Sequence, residues 1–537
     1  MNKKLTTLFV LLSISMLICT AQNIEITDEP DLSITESEPQ KTLVIIGYPR
    51  YYNLDPHTAN YSSDAQVLNG LYEGLFTFNA ATAEPETGIA KSFKISRNSK
   101  IWTFYLPDDI TFSDGTPITA NDVKRSLLTE IAPETKAPFA SLLDCVEGAA
   151  AYRKGEAPAE TVKIHARNDT TLVITLTEPT AHFSSILAHH AFSVMSQTPN
   201  VYSGAYVLES ETKTKTVLVK NENYHDAKNV NIERIEFRGT EDAAAATWAL
   251  NTGEAQWLSS IFSTDLLYNQ QQLIISAQYG TEFMFFRDNR EPWNDPELRN
   301  AILTAIPWNK LRSGNIVLAT TLILPLTNYP SIIGLTDYDP DLASEMMLNA
   351  GYSAEDNLTL KLAIPNYEHS EQQANIIKEG LAKIGVTVEI ELCDPESYLD
   401  SFDSIDSDML TYTWIGDFAD PLAFLELFRK DSTLRETNWT NEEFEKLITE
   451  ASAITDTTAR YKKLSQAEQV LIDSGIIVPI SHPVATDCID TDILGGWYSN
   501  VLDIHPLKSL YFKEPSNFLN FVMNLSFDPT LNLCYND

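Results

Sequence analysis

The most informative stretch of this sequence is Trp102–Leu106 (WTFYL) followed by Phe112–Val123 (FSDGTPITANDV). The first run is rich in aromatic residues, which is typical of a strand. The Ser-Asp-Gly-Thr-Pro segment then favours a tight turn. Thr119 suits a helix N-cap, with Asp122 three residues later as an acidic variant of the capping box. The stretch therefore predicts a strand, a turn and a helix in succession, and its role is structural.

The same mixture of strands and helices continues along the chain. Patterns that favour strands occur at Leu43–Gly47, Trp102–Leu106, Leu172–Leu176 and Val386–Leu392, and amphipathic helices are predicted at Asp341–Ala350 and Glu371–Ile384. The segment Leu358–Leu392 reads as strand, helix and strand, with Gly385 ending the helix. This is a mixed α/β pattern.

A ligand site is expected where the next apolar run ends. Met409–Ile415 is followed directly by Gly416 and Asp417. Open α/β sheets bind ligands beyond the carboxyl ends of their strands. On fold grounds alone, the sequence places a site at Gly416 and Asp417.

Length and charge narrow the function classes. The chain has 537 residues, of which 43% are hydrophobic and 21% charged, enough for two or three ordinary globular domains. Its 38 basic and 74 acidic side chains leave a net charge of −36. Such a surface repels phosphate backbones, so nucleic-acid binding is not expected.

The N-terminus has the order of a signal peptide. Lys3 and Lys4 precede the apolar run Leu5–Ile18, and a small residue, Ala21, follows. The run is shorter than the roughly 20 residues that span a bilayer. We expect residues 1–21 to be removed and the protein to be exported.

An alternative for this region is lipid anchoring at Cys19. The acidic, Ser/Thr/Pro-containing residues 22–40 would suit a flexible tether. Against lipidation, Ile18 stands where lipoprotein signals have a small residue. Cleavage after Ala21 is the simpler interpretation.

Motifs for catalysis or metal binding are lacking. The sequence contains no G-x-S-x-G, H-E-x-x-H, Walker A or G-x-G-x-x-G motif. His189 and His190 are adjacent, so on a regular helix or strand they point in different directions, and an ordinary surface or packing role is expected. The cysteines of the mature chain form no Cys-x-x-Cys pair, and their disulfide pairing stays open: Cys145, Cys393, Cys488 and Cys534. We expect no catalytic residues, no metal and no cofactor.

Several phrases in order resemble one protein family. They are Asn53–His57 (NLDPH), Leu71–Leu75 (LYEGL), Gly88–Phe93 (GIAKSF), the stretch at 102–123, Ser203–Tyr206 (SGAY), Gly253–Gln256 (GEAQ), Pro292–Asp295 (PWND), Leu298–Ala301 (LRNA), Trp414–Phe418 (WIGDF) and Gly495–Trp497 (GGW). The chain resembles the oligopeptide-binding type of extracellular solute-binding proteins, family 5. The resemblance covers residues 42 to 513.

The resemblance implies a two-lobe periplasmic-binding-protein fold of class II, cluster C type, α/β throughout, with an extra domain inserted in the first lobe. The implied segments are 41–60, 179–268 and 481–515 for lobe I, 61–178 for extra domain II, 269–480 for lobe III, and 516–537 for a C-terminal extension of unknown role. The implied function is a hinge-closing peptide receptor of an ABC importer. Its partners would be a peptide and the membrane permease, and we expect a monomer.

The resemblance also implies ligand-binding residues. Asp417 matches the family's carboxylate for the peptide α-ammonium, and Trp414 and Gly416 belong to the same segment. The other candidates are Asn60, Tyr61 and Ser62 beside the first ligand residues, Phe139 in the cleft, and His369 and His482 near the far end.

Two departures from the family keep other ligands open. Thr411 and Phe402 stand where peptide-binding relatives place basic residues. Bidentate capture of a ligand carboxylate is therefore not visible in the sequence. A receptor for a nickel chelate or a sugar remains an alternative, and so does a surface adhesin or sensor that keeps the fold.

Overall fold

The structure is a computed structural model that describes residues 42–395, 397–399 and 401–514. The following predicted features lie outside the described residues: the signal peptide 1–21 with Cys19, the tether 22–40, Cys534 and the extension 516–537. Within the described part, no helix has the length and apolar character needed to cross a membrane.

The described residues form twenty strands and twelve α-helices. In chain order the strands are β1 Thr42–Gly47, β2 Phe76–Phe78, β3 Pro85–Thr87, β4 Ser92–Ile95, β5 Ile101–Tyr105, β6 Ile164–Asn168, β7 Thr171–Thr175, β8 Tyr206–Thr212, β9 Lys215–Lys220, β10 Arg234–Gly239, β11 Trp257–Ser259, β12 Leu273–Ala277, β13 Gly280–Phe286, β14 Thr359–Pro365, β15 Thr387–Cys393, β16 Met409–Ile415, β17 Ile477–Ser481, β18 Val484–Ile489, β19 Leu494–Gly495 and β20 Tyr511–Phe512. The helices are α1 Ser62–Leu71, α2 Ala120–Glu130, α3 Ala149–Arg153, α4 Phe183–Ala188, α5 Ala243–Asn251, α6 Pro296–Thr304, α7 Trp308–Leu311, α8 Pro340–Asn349, α9 Glu368–Leu381, α10 Leu422–Leu425, α11 Glu442–Ser452 and α12 Thr457–Asp473.

The first large sheet has seven strands in the order β12-β18-β11-β1-β10-β9-β8. Its strand β1 is buried on both faces, as a central strand covered by helices requires. Leu43 and Ile45 pack in one hydrophobic cluster with residues of α1, whereas Val44 and Ile46 pack in another with residues of α5. Because successive side chains of a strand point to opposite faces of the sheet, α1 and α5 pack on opposite sides of it.

The second large sheet has five strands in the order β15-β14-β16-β13-β17. Strands β14 and β15 are parallel and are joined by α9, so the predicted strand-helix-strand unit is confirmed. Gly385 ends the helical segment with a φ of +80°, a conformation that favours glycine. Strand β16 lies at the centre of this sheet, and its carboxyl end leads directly into Gly416 and Asp417.

A smaller sheet of four strands, β4-β5-β7-β6, contains most of the aromatic run Trp102–Leu106 as strand β5. Strand β5 is followed by a turn in which the Phe112 N–H donates to the Thr116 carbonyl at 2.8 Å. Helix α2 starts with a capping box, in which the Thr119 N–H donates to Asp122 Oδ2 at 2.9 Å. The predicted strand, turn and helix are confirmed.

A buried ionic network around Glu73 ties the end of α1 to the C-terminal segment. Glu73 Oε1 accepts from Lys508 Nζ at 2.6 Å and from the Tyr224 hydroxyl at 2.8 Å, and Oε2 lies 2.7 Å from His225 Nε2. Burial opposes ionisation of Glu73, but Lys508 and His225 outweigh it and lower its pKa to about 2. Glu73 is therefore ionised at neutral pH and fully compensated.

We predict that Glu73→Gln destabilises the protein by about 3–5 kcal/mol, because it leaves the Lys508 ammonium without its buried partner. The stabilisation from Glu73 is present above the unfolded pKa of about 4.3 and is lost as pH falls through the folded pKa near 2. Urea unfolding of both proteins between pH 3 and pH 7 measures this. The control is Glu209→Gln, which breaks an exposed pair with Arg234 and should change the midpoint little. Equal effects of the two substitutions would contradict the assignment.

Candidate ligand-binding site

A cavity of about 210 Å³ lies at the carboxyl end of β16, where the sequence predicted a site. Seven segments of the chain form its wall, and its lining residues are Asn60, Tyr61, Ser62, Ala65, Pro138, Phe139, His189, His190, Leu399, Phe402, Tyr412, Thr413, Trp414, Ile415, Gly416, Asp417, Thr433, Leu434, Glu436, Leu502 and Ile504. Its volume is below the roughly 300–1,000 Å³ typical of small-molecule sites, so in this state it has room for a small group or a few residues of a chain.

The end of β16 is held rigidly. The Trp414 indole N–H donates to the Ala423 carbonyl at 2.7 Å, and the ring is almost fully buried. The Gly416 N–H donates to the Tyr279 carbonyl at 2.7 Å. A Cβ on Gly416 would lie 2.8 Å from the Tyr279 ring, so a larger residue does not fit without movement. These contacts present Asp417 to the cavity in a defined position.

Asp417 is the most unusual charged group in the cavity wall. Its side chain is only 8% exposed, and its Oδ1 lies 3.6 Å from His189 Nε2. Its Oδ2 is buried and has no hydrogen-bond partner. Burial raises the pKa of this carboxyl well above its ordinary value. A carboxylate in this position calls for a cation that the described residues do not supply.

Asp420 shows how a buried aspartate is ordinarily satisfied, only three residues away. The Arg460 guanidinium donates to both of its oxygens, at 2.5 and 2.8 Å. Burial opposes ionisation of Asp420, but Arg460 outweighs it and lowers the pKa of Asp420. Asp420 and Arg460 form a closed structural pair. Asp417 has no such partner among the described residues.

His189 and His190, for which the sequence suggested an ordinary surface or packing role, lie side by side in the cavity wall. Their ring centroids are 4.0 Å apart, and the Phe139 ring lies 4.3 Å from that of His189. The Ala191 N–H donates to His189 Nδ1 at 3.4 Å, so Nε2 carries the proton that faces Asp417. Burial lowers the pKa of His190 to about 4 and that of His189 well below its usual value. Both rings are therefore neutral at neutral pH and offer no positive charge to Asp417.

The structure brings together most of the predicted site residues. Asn60, Tyr61, Ser62, Phe139, Trp414, Gly416 and Asp417 all line the cavity. His369 does not: it lies on α9, half exposed, 3.7 Å from Glu282 Oε1. His482 is also outside the lining, with its Nδ1 3.0 Å from the Gly280 carbonyl. Sequence reasoning missed His189, His190, Tyr412 and Glu436, none of which belongs to a recognisable motif.

A clasp of hydrogen bonds closes one side of the cavity. It joins Pro138 and Ser141 to Thr433 across more than 290 residues of chain. The Thr433 hydroxyl donates to the Pro138 carbonyl at 2.6 Å, the Thr433 N–H to Ser141 Oγ at 3.1 Å, and the Ser141 N–H to Thr433 Oγ1 at 3.2 Å. The buried apolar residues of the four-stranded and five-stranded sheets also form one continuous cluster. The clasp and this shared core hold these two parts of the chain together beside the cavity.

Comparison with known proteins agrees with this architecture. Residues 84–435, more than half of the chain, match the family model of bacterial extracellular solute-binding proteins, family 5 Middle. The chain belongs to this family. The oligopeptide-binding protein OppA of Bacillus subtilis is 25% identical over 514 residues, covering 89% of this chain and 94% of OppA. The family and its fold are those that the motifs indicated.

Solved structures of one relative also bear on the arrangement of the lobes. The murein tripeptide binding protein MppA of Escherichia coli is 25% identical, covers 89% of this chain and 99% of its own, and superposes with a TM-score of 0.79. The unliganded open form of MppA, with the same identity and coverage of 89% and 98%, gives only 0.64. The chain described here thus has the two-lobe fold. Its lobes are arranged more like those of the first MppA structure than like those of the unliganded open form.

Asp417→Asn should stabilise the ligand-free protein at alkaline pH. Because the folded-state pKa of Asp417 is raised, stability is lost as pH rises from the unfolded pKa of about 3.9 through the folded value. Asparagine keeps the shape and removes this loss, so we expect a gain of about 1 kcal/mol or more at pH 8. The gain should vanish near pH 4. Thermal unfolding of protein refolded without ligand measures both.

The matched control is Asp420→Asn, which removes the partner of Arg460 and should lower the unfolding temperature at the same pH. If Asp417→Asn destabilises the ligand-free protein at pH 8 as Asp420→Asn does, Asp417 is a structural residue.

Proposed function

We propose that this chain is an exported receptor that binds peptides by their N-terminal ammonium group and delivers them to the membrane permease of an ABC importer. The observation that carries the proposal is the buried Asp417 carboxylate, which lines the cavity and whose Oδ2 has no hydrogen-bond partner among the described residues. The relatives named for oligopeptides and murein tripeptide support the same ligand class. The role is binding and delivery, with no covalent step.

An α-ammonium group supplies the partner that Asp417 lacks among the described residues. It carries a full positive charge and three N–H donors, whereas the neutral His189 offers one N–H at 3.6 Å. A buried carboxylate is stabilised when a cation pairs with it in good geometry. A bound ammonium at Oδ2 would satisfy the carboxylate and return its pKa toward the ionised range. Ligand binding and ionisation of Asp417 would therefore favour each other.

The walls of the cavity suit an extended peptide. At Tyr61 the backbone is extended, with φ −101° and ψ 138°, just before α1. A peptide backbone can pair with such a segment whatever its side chains are, so affinity would depend little on sequence. Phe139 and Trp414 supply apolar surface for the first side chains.

Closure around the ligand would let the membrane permease recognise the loaded receptor. The clasp between Ser141 and Thr433 forms only when the two sides of the cavity meet. A ligand that contacts both sides shifts the population toward this closed state. The permease would then receive a receptor whose shape reports that it is loaded.

The charge pair can be tested as a cycle. We expect Asp417→Asn to weaken binding of a free tripeptide by about thirtyfold or more, equivalent to about 2 kcal/mol. N-acetylation of the tripeptide should weaken binding to the wild type by a similar factor, because it removes the opposite charge. The two losses should not add, since each breaks the same pair. Isothermal calorimetry at pH 7 with both peptides and both proteins measures the cycle.

The control for this cycle is Asp265→Asn, at an exposed aspartate outside the cavity wall, which should leave both affinities unchanged. Wild-type protein that binds the acetylated tripeptide as tightly as the free one would refute the ammonium anchor. A solute of another kind would then have to be sought.

A further inference from the structure

The described residues of the cavity wall include carboxylates but no permanent cation. Among its lining residues, Asp417 and Glu436 are acidic, and none is lysine or arginine. His189 and His190 are neutral because burial lowers their pKa values. A ligand ammonium therefore finds a partner in this wall, whereas a ligand carboxylate finds none.

The sequence around the cavity has the same bias. Between Lys383 and Arg429 the chain contains eleven acidic residues and no lysine, arginine or histidine. This segment includes β16 and supplies Phe402, Trp414 and Asp417 to the wall. The deficit of cations is thus a property of the whole segment that forms one side of the site, in a chain with a net charge of −36.

Arginines near the site are already engaged. Arg460 forms the two bonds to Asp420, and Arg429 pairs with Glu426 and Glu445. Arg50 lies 3.7 Å from Asp64 and rests on the Tyr61 ring at 5.7 Å from its centroid. Moving any of these to a ligand carboxylate would break an existing pair.

Resting on the proposed function, we propose that this cavity selects peptides with a cationic N-terminal part and excludes a ligand carboxylate from its interior. The preferred ligands are peptides whose C-terminal carboxylate is blocked or lies several residues beyond the cavity. Short zwitterionic peptides are the disfavoured class.

Distance is the reason that short peptides suffer most. A chain extends by about 3.3–3.6 Å per residue, so the two charged ends of a dipeptide are within roughly 7 Å of each other. With its ammonium on Asp417, a dipeptide would hold its carboxylate inside a cavity of about 210 Å³. There it would be desolvated with no lysine or arginine in the described wall to pair with it, which opposes binding.

The aromatic residues of the wall act in the same direction. Tyr61, Phe139, Phe402, Tyr412 and Trp414 all line the cavity. Aromatic faces attract cations through their quadrupole and offer nothing comparable to anions. A second positive charge near the N-terminus, such as a lysine side chain, fits this wall.

The test compares one dipeptide in two forms, Ala-Phe with a free carboxylate and Ala-Phe amide, by calorimetry on ligand-free protein at pH 7. We expect the amide to bind about tenfold more tightly or better at 20 mM salt, and the advantage to shrink at about 500 mM salt because charge interactions are screened. Equal or tighter binding of the free acid at low salt overturns the proposal. Binding of neither form also counts against it.

A pair of matched variants tests the electrostatic cause. Asn60→Lys adds an ammonium to an exposed position of the wall, and Asn60→Gln adds similar length without charge. The lysine variant should lose most of the preference for the amide, while the glutamine variant should keep it. An unchanged preference in the lysine variant contradicts charge selection.

A third ligand, N-acetyl-Ala-Phe amide, separates this proposal from the proposed function. If it binds the wild type as tightly as Ala-Phe amide, the ammonium anchor itself fails, and both proposals fall. If it binds weakly while the free acid and the amide bind equally, the anchor stands and charge selection alone is wrong.

Discussion

A carboxylate buried in a protein needs a positive partner. The site is built around Asp417, a buried carboxyl group for which the described residues supply no such partner. Asp417 is held in position by the rigid end of β16, where Trp414 bonds to Ala423 and Gly416 packs on Tyr279. Its Oδ2 has no hydrogen-bond partner in the described structure, and burial raises its pKa. The ligand-free protein therefore lacks the stabilisation that an ion pair at Asp417 would provide, and it gains this stabilisation when a ligand supplies the cation.

The contrast with Asp420 shows that this is a property of position and not of burial alone. Both aspartates follow β16 and both are buried, yet Asp420 accepts two bonds from Arg460. One carboxylate closes a structural contact, while the other lines the cavity that the Ser141–Thr433 clasp encloses. The division of roles between adjacent acids follows from which of them an arginine can reach.

Local sequence patterns predicted the fold well where a single segment determines its own geometry. The capping box at Thr119, the helix end at Gly385 and the alternation along β1 depend on neighbouring residues alone. Asp417 was found because a family motif coincides with the carboxyl end of a strand.

The segment ranges of the lobes stay predictions, and β12, at 273–277, pairs in the seven-stranded sheet although it lies within the predicted range 269–480. The paired histidines were missed because residues 189 and 190 lie between α4 and a short 3-10 helix, where regular periodicity does not apply. His369 and His482 lie outside the cavity lining because of tertiary packing, which no local sequence pattern indicates.

The most direct test of the central claim is a crystal structure of the refolded protein with a free tripeptide. The account predicts that the α-ammonium nitrogen of the tripeptide lies within about 3 Å of Asp417 Oδ2, as expected for a charge-assisted hydrogen bond. The clasp between Ser141 and Thr433 should be closed in the same structure. A complex in which Oδ2 remains without a partner, while the peptide ammonium contacts another group, would contradict it.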